Sequence, residues 1–410
     1  MHTESATAID WNRVSRDFLL APDEAYLNGG TFSALPRPVF EAQTRLMAEA
    51  EANPTHHTAA WRELPFRKAQ AAVARYVGAD PDDLVLQFNV THALNLALFG
   101  LAWPVHGEIL VSDQEYGAIV NATRELARRR GLTVRVFHLP WQVSSPDELV
   151  RAVLDAVSPA TVGLLVSHVT SPSGTLVPVE RLSAPLRERG VRLVVDGAHA
   201  PGLVPLALAE SGVDLYGANL HKWFMGPKST GFLYVRRPVQ AGMQSLTVGW
   251  GGADPDPARF TANHESTSSF YHMFRIQGVY DVCPFLALPA TLAFRATLGE
   301  ENIRGRIDAL QAYLRRRLSG ELGLRVLSPV PALSPGMTRF GLPAGHRGAQ
   351  TAGVLHRRYK ITVVGGEFEG SGVLRVSTGI WNTEAQIDRL ADALREIFAT
   401  GSSADAPVSP

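Results

Sequence analysis

The sequence predicts an α/β protein: a mostly parallel, doubly wound sheet forms the larger part, and a smaller α+β part follows it. Three observations predict this. Between residues 84 and 237, short β-branched and aliphatic runs alternate with helix-periodic segments, which is the pattern of βαβ units. Runs such as 161–169 and 193–195 are apolar almost throughout, so both faces of their sheet must be covered. Beyond residue 284 the order changes to two long helices and then short strands and single helices. With 410 residues and 45% hydrophobic content, the chain can bury a core of this size and is expected to divide in two.

Residues 1–25 hold one helix, 9–18, and a loop; this N-terminal segment is expected to join the smaller part. The extended run Tyr26-Leu27-Asn28-Gly29-Gly30-Thr31 follows, broken by a glycine pair whose backbone can approach a ligand closely. Residues 36–52 and 62–77 read as amphipathic helices, the first opened by prolines and the second closed before Gly78. Between them, Asn53 to His57 read as a loop. Neither a cysteine nor an HExxH pattern joins His56 and His57, so no metal site is expected.

The strand 84–88 ends in Asn89-Val90-Thr91-His92 and opens a helix over 93–101. Free N–H groups at such a helix start converge on one point and suit an anion, phosphate above all. After the strand 108–112, Tyr116 stands where an aromatic ring can stack on a flat ligand, although an ordinary buried tyrosine would look the same. Helix 119–130, strand 134–139, helix 146–157 and strand 161–169 continue the alternation, and the last strand runs into the loop 168–174. Helix 180–190 then leads to the stretch that organises the chain.

In that stretch, 192–237, the strand 193–195 delivers Asp196 at its carboxyl end, the edge where open α/β sheets collect ligands. His199 comes three residues later. A helical interval, 206–211, is closed by Gly212, and a strand at 214–216 precedes Asn219-Leu220-His221-Lys222. The chain turns through Gly226-Pro227-Lys228 and returns as the strand 231–235. Only four of the 39 basic residues are lysine, at 68, 222, 228 and 360. A chain that avoids lysine elsewhere has kept one beside a histidine in an apolar run. Partial burial and a nearby cation free an amine of its proton, as a Schiff base with a carbonyl cofactor requires. Asp196 is the group that would keep a pyridine nitrogen protonated, so that the ring can accept electrons. A capping aspartate and a snorkelling lysine are the plain alternative; the two together, in this order, favour the chemistry.

Residues 238–275 show little periodicity and carry an aromatic cluster, Phe270, Tyr271 and Phe274; long irregular segments of this kind are usually functional. The C-terminal part reads as helices 284–299 and 302–318, strands 324–327 and 338–341, helix 349–358, strand 373–377 and a last helix, 384–398, capped by Asn382-Thr383. The tail 400–410 is too polar and too rich in Pro and Ser to fold. Acidic and basic residues balance at 39 each, so there is no electrostatic footprint for nucleic acid or an anionic membrane. Cys283 is the single cysteine, which excludes an intrachain disulfide. The N-terminus lacks an apolar signal-peptide core, and the longest apolar run, 94–105, is short for a membrane span. A soluble cytoplasmic enzyme is expected.

The run NLHKWFMGPKSTGFLYVR at 219–236, with Asp196 upstream, resembles the signature of the class V aminotransferase family of pyridoxal-phosphate (PLP) enzymes, fold type I. It is most similar to the isopenicillin-N-epimerase-like branch, which includes natural-product C–S lyases such as those of lincosamide maturation. The resemblance covers about 26–398. It implies a seven-stranded sheet in a large PLP-binding domain at 26–265 and a small domain at 266–399. Lys222 would carry the cofactor and act as base. Asp196 would face the ring nitrogen and His199 the phenolic oxygen. Thr91, His92, Asn219 and His221 would hold the phosphate, and Tyr116 would stack on the ring. The 168–174 loop would lie beneath that ring. Asn28 would face the substrate, an amino acid, and Arg375 would grip its carboxylate through the planar guanidinium fork. The resemblance also implies a homodimer in which the partner's 250–281 loop completes each site. Here the chain departs from the family: it has Gly278-Val279-Tyr280-Asp281 in place of Gly-Thr-x-Asp. Valine offers no hydroxyl to the partner's phosphate, and Ser268 or Ser269 would have to replace it.

Residues 360–374 contain no cysteine, so persulfide-forming desulfuration is not expected. Epimerisation, β-elimination, decarboxylation with oxidation and transamination are left. An epimerase needs a second acid or base opposite Lys222, and the sequence offers none, whereas elimination needs the lysine alone. The expected activity is therefore a C–S lyase on a bulky S-cysteinyl conjugate in antibiotic biosynthesis. An isopenicillin-N-epimerase-like activity is the runner-up, followed by a decarboxylating deaminase or aminotransferase. A PLP-binding sensor would need a basic DNA-binding module, which the N-terminal segment is too short to supply.

Overall fold

The computed structural model describes residues 9–61, 64–248, 268–276 and 278–400. Its strands are β1 (Ala25–Tyr26), β2 (Leu84–Gln87), β3 (Glu108–Ser112), β4 (Thr133–Phe137), β5 (Thr161–Ser167), β6 (Arg192–Asp196), β7 (Leu215–Asn219), β8 (Gly231–Val235), β9 (Arg325–Val326), β10 (Met337–Gly341), β11 (Ile361–Thr362), β12 (Val364–Phe368) and β13 (Ser371–Ser377). Seven of them form one sheet in the order β2-β8-β7-β6-β5-β3-β4. Only β8 runs against its neighbours, so the sheet is mostly parallel, as the alternation of elements implied.

The apolar strands conceal a strict alternation. Leu193 and Val195 of β6 join a core with the helices Leu64–Tyr76, Pro146–Ala156 and Val179–Glu188. Val194, between them, joins the opposite core, built with the helices Val90–Gly100 and Gly117–Arg130. Each face buries its own row of side chains, at roughly 1.5–3 kcal/mol for a fully buried Val or Leu. The sheet is therefore doubly wound, and all its parallel strands present their carboxyl ends along one edge.

A second sheet, β12-β13-β10-β9, is antiparallel. The helices Glu300–Arg315 and Glu384–Thr400 cover it through Leu310, Leu314, Leu390 and Leu394. β1 pairs in parallel with β11, Ala25 opposite Ile361, so the N-terminal segment is tied to this C-terminal part. A further apolar cluster, containing Phe18, Trp223, Phe294, Met337 and Trp381, packs the residue after Lys222 against both chain ends.

Several elements differ from the sequence expectation. Residues 53–57 are not a loop: the helix Pro54–Trp61 starts there. Asn53 caps it by accepting the His56 N–H at 3.1 Å, and Pro54, with no N–H to lose, suits the first helical position. The helix expected at 284–299 breaks into Cys283–Leu286 and Leu288–Leu298, because Pro289 has no N–H for the Phe285 carbonyl. The helix Glu300–Arg315 continues through a π-helical turn, Arg316–Glu321. Strands β11 and β12 were not anticipated. Within the irregular segment, Ser268 caps the helix Ser269–Phe274, while residues 249–267, most of the expected partner loop, lie outside the described residues. So does the tail from 401 onward; Thr400 closes the last helix. Among the described residues no helix is long and apolar enough to cross a membrane.

Candidate active site

The carboxyl ends of β2, β5, β6 and β7, the turn before β8, β13 and the loop after β1 enclose a cavity of about 560 Å³, within the roughly 300–1,000 Å³ usual for small-molecule sites. Its two ends differ in chemistry.

One end is built for an anion. Asn89 caps the helix Val90–Gly100, its side chain accepting the His92 N–H at 2.9 Å. Asn219 Oδ1 takes the Val90 N–H at 2.9 Å. The Thr91 N–H and hydroxyl have no partner among the described residues, and Thr91 lines the cavity. Such a helix start favours a negative group. Lys228 and Ser229 line the same end, Ser229 at φ 61°, a left-handed conformation that costs a non-glycine residue about 1–2 kcal/mol. His221 lines it too, with Nδ1 3.2 Å from the Thr230 carbonyl; burial and then Lys222 push its pKa down to about 4. His92 does not line the cavity: its Nδ1 contacts Gln87 Oε1 at 2.8 Å. Of the four residues expected at a phosphate, the structure brings Thr91, Asn219 and His221 together and sets His92 behind them.

The other end pairs an amine with a buried carboxylate. Asp196 is 2% exposed. One oxygen accepts the Ala198 N–H at 2.9 Å and the other has no hydrogen-bond partner. Burial pushes its pKa up against the opposing Ala198 N–H and Lys222. Lys222 Nζ lies 3.1 Å from His199 Nε2. Burial lowers the lysine to about 8, with Asp196 opposing and Arg375 adding to the fall. His199 is held well below its ordinary value by burial and these cations, so its imidazole is neutral and carries a single proton. Trp223 Nε1 donates to His199 Nδ1 at 3.3 Å, which assigns that proton to Nε2. Once the Lys222 amine has lost its own proton, above about pH 8, it can accept that Nε2–H in its nucleophilic form. Cofactor uptake by the apoprotein is accordingly expected to accelerate as pH rises through about 8, because the amine is protonated below that value and free above it. Stopped-flow absorbance across pH 6–9 checks this, and a flat profile would contradict it.

Between the ends, Arg375 of β13 enters from the second sheet. Its Nη1 donates to the Ser171 carbonyl and hydroxyl at 2.9 and 3.0 Å, and its Nη2 donates to the Thr31 hydroxyl at 2.9 Å. The Thr31 hydroxyl in turn donates to Asn28 Oδ1 at 2.8 Å. Asn28 thus stands behind Thr31, outside the cavity lining, and positions Arg375 through it. Arg375 Nε is buried without a partner. Burial, and then the neighbouring Arg339, lower the guanidinium to about 10. Tyr116 lines the rim, 53% exposed.

The sequence did not point to Thr31, Ser171, Ser229 or Arg295 as site residues. Ser171 lies in the loop 168–174 expected beneath the cofactor ring, and Lys228 is one of only four lysines. Arg295 had no signal. It is 1% exposed, bonds to Glu300 through Nε and Nη2, and donates to the Trp223 and Gly202 carbonyls, clamping the backbone just past Lys222.

The sequence profile described as aminotransferase class V matches residues 25–390. The chain belongs to the class V aminotransferase family. Isopenicillin N epimerase from Amycolatopsis lactamdurans is 38% identical over 403 residues, spanning 95% of this chain and 99% of that protein. Isopenicillin N epimerase from Streptomyces clavuligerus is 37% identical over 390 residues, 94% and 98% of the two chains. A cystine C–S lyase solved with its product cysteine persulfide shares the fold, with a TM-score of 0.78 at 22% identity over 94% and 99% of the chains. As a class V protein this chain is a PLP-dependent enzyme. The cavity fits that cofactor: unpartnered Thr91 donors suit a phosphate, and the free Asp196 oxygen suits a protonated ring nitrogen. The Lys222 amine suits a carbonyl.

Proposed function

We propose that this class V enzyme is a C–S lyase that removes a thiol by β-elimination from a bulky S-cysteinyl conjugate in antibiotic biosynthesis. One observation carries the reading: at the end of the cavity beside Asp196, Lys222 is the nitrogen base placed to take a proton from a substrate, whereas His221, whose Nε2 has no hydrogen-bond partner among the described residues, lines the anion end instead. His221 Nδ1 faces the Thr230 carbonyl, Lys228 Nζ donates to the Ser33 carbonyl at 2.9 Å, and His199 lies between Trp223 and Lys222. Elimination needs one base and inversion needs two.

PLP, when bound, supplies the electron sink that makes a Cα–H bond acidic. Asp196 keeps a proton on the ring nitrogen, Arg375 fixes the substrate carboxylate, and His199 orients the Lys222 amine. Lys222 takes the Cα proton, and the electron pair left at Cα expels the thiolate from Cβ. The lysine ammonium then returns its proton to the departing sulfur. The aminoacrylate product hydrolyses to pyruvate and ammonia. No nucleophilic thiol is required, and Cys283, buried and pushed up to about 12 first by that burial and then by Asp281, is not placed to supply one.

The identity to two isopenicillin N epimerases favours a second reading, epimerisation, in which the Tyr116 hydroxyl on the rim would deliver the second proton. Product analysis separates the readings, since the lyase yields free thiol and pyruvate in equal amounts from S-cysteinyl conjugates. Conversion without thiol, whether to an inverted amino acid, a keto acid or carbon dioxide, would overturn it.

The enzyme is further proposed to be a homodimer, with each site completed by the partner's 250–281 segment. Leu246, Val248 and Val279 support this, being 48%, 68% and 87% exposed and apolar, as residues awaiting a partner would be. Light scattering is expected to give twice the chain mass; a monomer that still turns over substrate would refute the shared site.

A further inference from the structure

A second cavity of about 280 Å³ adjoins the first and shares Tyr116, Ser171, Val364 and Arg375 with it. Its distinctive feature is a second guanidinium. Arg339 of β10 lies directly opposite Arg375 of β13 in the antiparallel register, which places both side chains on one face of the sheet, and like charges so placed repel. Both are removed from water: Arg339 is 8% exposed, and burial lowers its pKa.

Burying one cation calls for a compensating anion, and burying two side by side calls for more. The fully buried Arg295 is compensated in this way, with Glu300 on its guanidinium and backbone carbonyls on the remaining donors. Arg339 and Arg375 have no carboxylate partner among the described residues. Arg339 instead lies against the rings of Trp141 and Phe368, 4.9 and 4.8 Å from their centroids, which stand 4.4 Å from each other. Its Nη2 donates to the Glu367 carbonyl at 3.3 Å, and its Nε and Nη1 make no hydrogen bond among the described residues. The aromatic faces fix the plane of the fork and leave donors for a ligand. Glu115 also lines this cavity, but its two oxygens accept from the Ser112 and Ser167 hydroxyls at 2.5 Å.

From this juxtaposition we infer that Arg339 is a second anion seat, and that the substrate is an amino acid carrying a further carboxylate on its side chain. Arg375 holds the α-carboxylate and Arg339 the distal one. The inference rests on the proposed reading only in giving Arg375 to the α-carboxylate. It makes Arg339 a specificity-determining residue, since a substrate lacking the distal charge would leave a buried cation unpaired.

Binding of unreactive probes tests this without catalysis. The holoenzyme is titrated calorimetrically with glutarate and adipate and with the monocarboxylates butyrate and hexanoate. A dicarboxylate is expected to bind at least about tenfold more tightly than the monocarboxylate of similar length, as charge-assisted hydrogen bonds to a buried partner imply. Arg339→Met, which keeps an unbranched stem against the two aromatic rings, is expected to bring that ratio to within about threefold of unity, and Arg339→Lys to keep part of it. A general loss of packing would weaken both probe classes equally and leave the ratio unchanged. Equal affinities in the parent enzyme, or an unchanged ratio in Arg339→Met, would overturn the inference. Should Arg339→Met not fold, the parent ratio and Arg339→Lys still decide it. Thiol release plays no part in these titrations, so the elimination reading and the anion seat fail independently.

Discussion

Lys222→Ala is expected to lower turnover by at least about 100- to 10,000-fold, the range for removal of a positioned general base, while the protein still folds and binds PLP. Folding should survive because the Lys222 side chain makes one hydrogen bond, to His199, and packing around it rests on Trp223 and Phe224, 2% and 0% exposed. Cofactor binding should survive because the anion end, with Thr91, Ser229 and Lys228, is built from other elements. The variant should lose the covalent attachment: borohydride treatment followed by peptide mapping is expected to place the pyridoxyl group on Lys222 of the parent enzyme and on no residue of the variant. Label on Lys228 in the parent would reassign the base.

Asp196→Ala should give the second largest loss. Asp196 offers one unbonded carboxylate oxygen while being itself only 2% exposed, and a preorganised interaction of this kind stabilises a transition state by ~3 kcal/mol or more, or about 100-fold in rate. The variant should still bind cofactor through the anion end and Lys222. Activity within about tenfold of the parent would remove Asp196 from the mechanism.

These two residues were also the most legible in the sequence, for a physical reason. A strand followed at once by an acid, and one lysine kept in a chain that otherwise uses arginine, are local patterns; the β6 and β7 ends needed only strand periodicity to bring them together. The Asn89 cap and the anion end were legible in the same way. Arg375 could be named, but its setting could not. The Asn28, Thr31 and Arg375 relay joins residues 344 positions apart and depends on how the loop after β1 meets β13. Likewise, Arg339 gains its meaning only from the register that sets it opposite Arg375. Strand β12 was hidden by glycines that lower strand propensity, and β11, two residues long, is too short to show a pattern. A Cβ on Gly365 would come within 2.0 Å of the Gly348 carbonyl, so close backbone packing against the helix Gly348–Tyr359 overrides propensity there.

Whether a thiol leaves once Lys222 has taken the Cα proton is decided most directly by incubating the enzyme with an S-cysteinyl conjugate in deuterated water. Elimination predicts equal amounts of free thiol and pyruvate, with deuterium in the pyruvate methyl group and the remaining substrate unchanged in configuration. Recovery of a racemising amino acid that carries deuterium at Cα, with no pyruvate, would contradict the lyase and establish the epimerase.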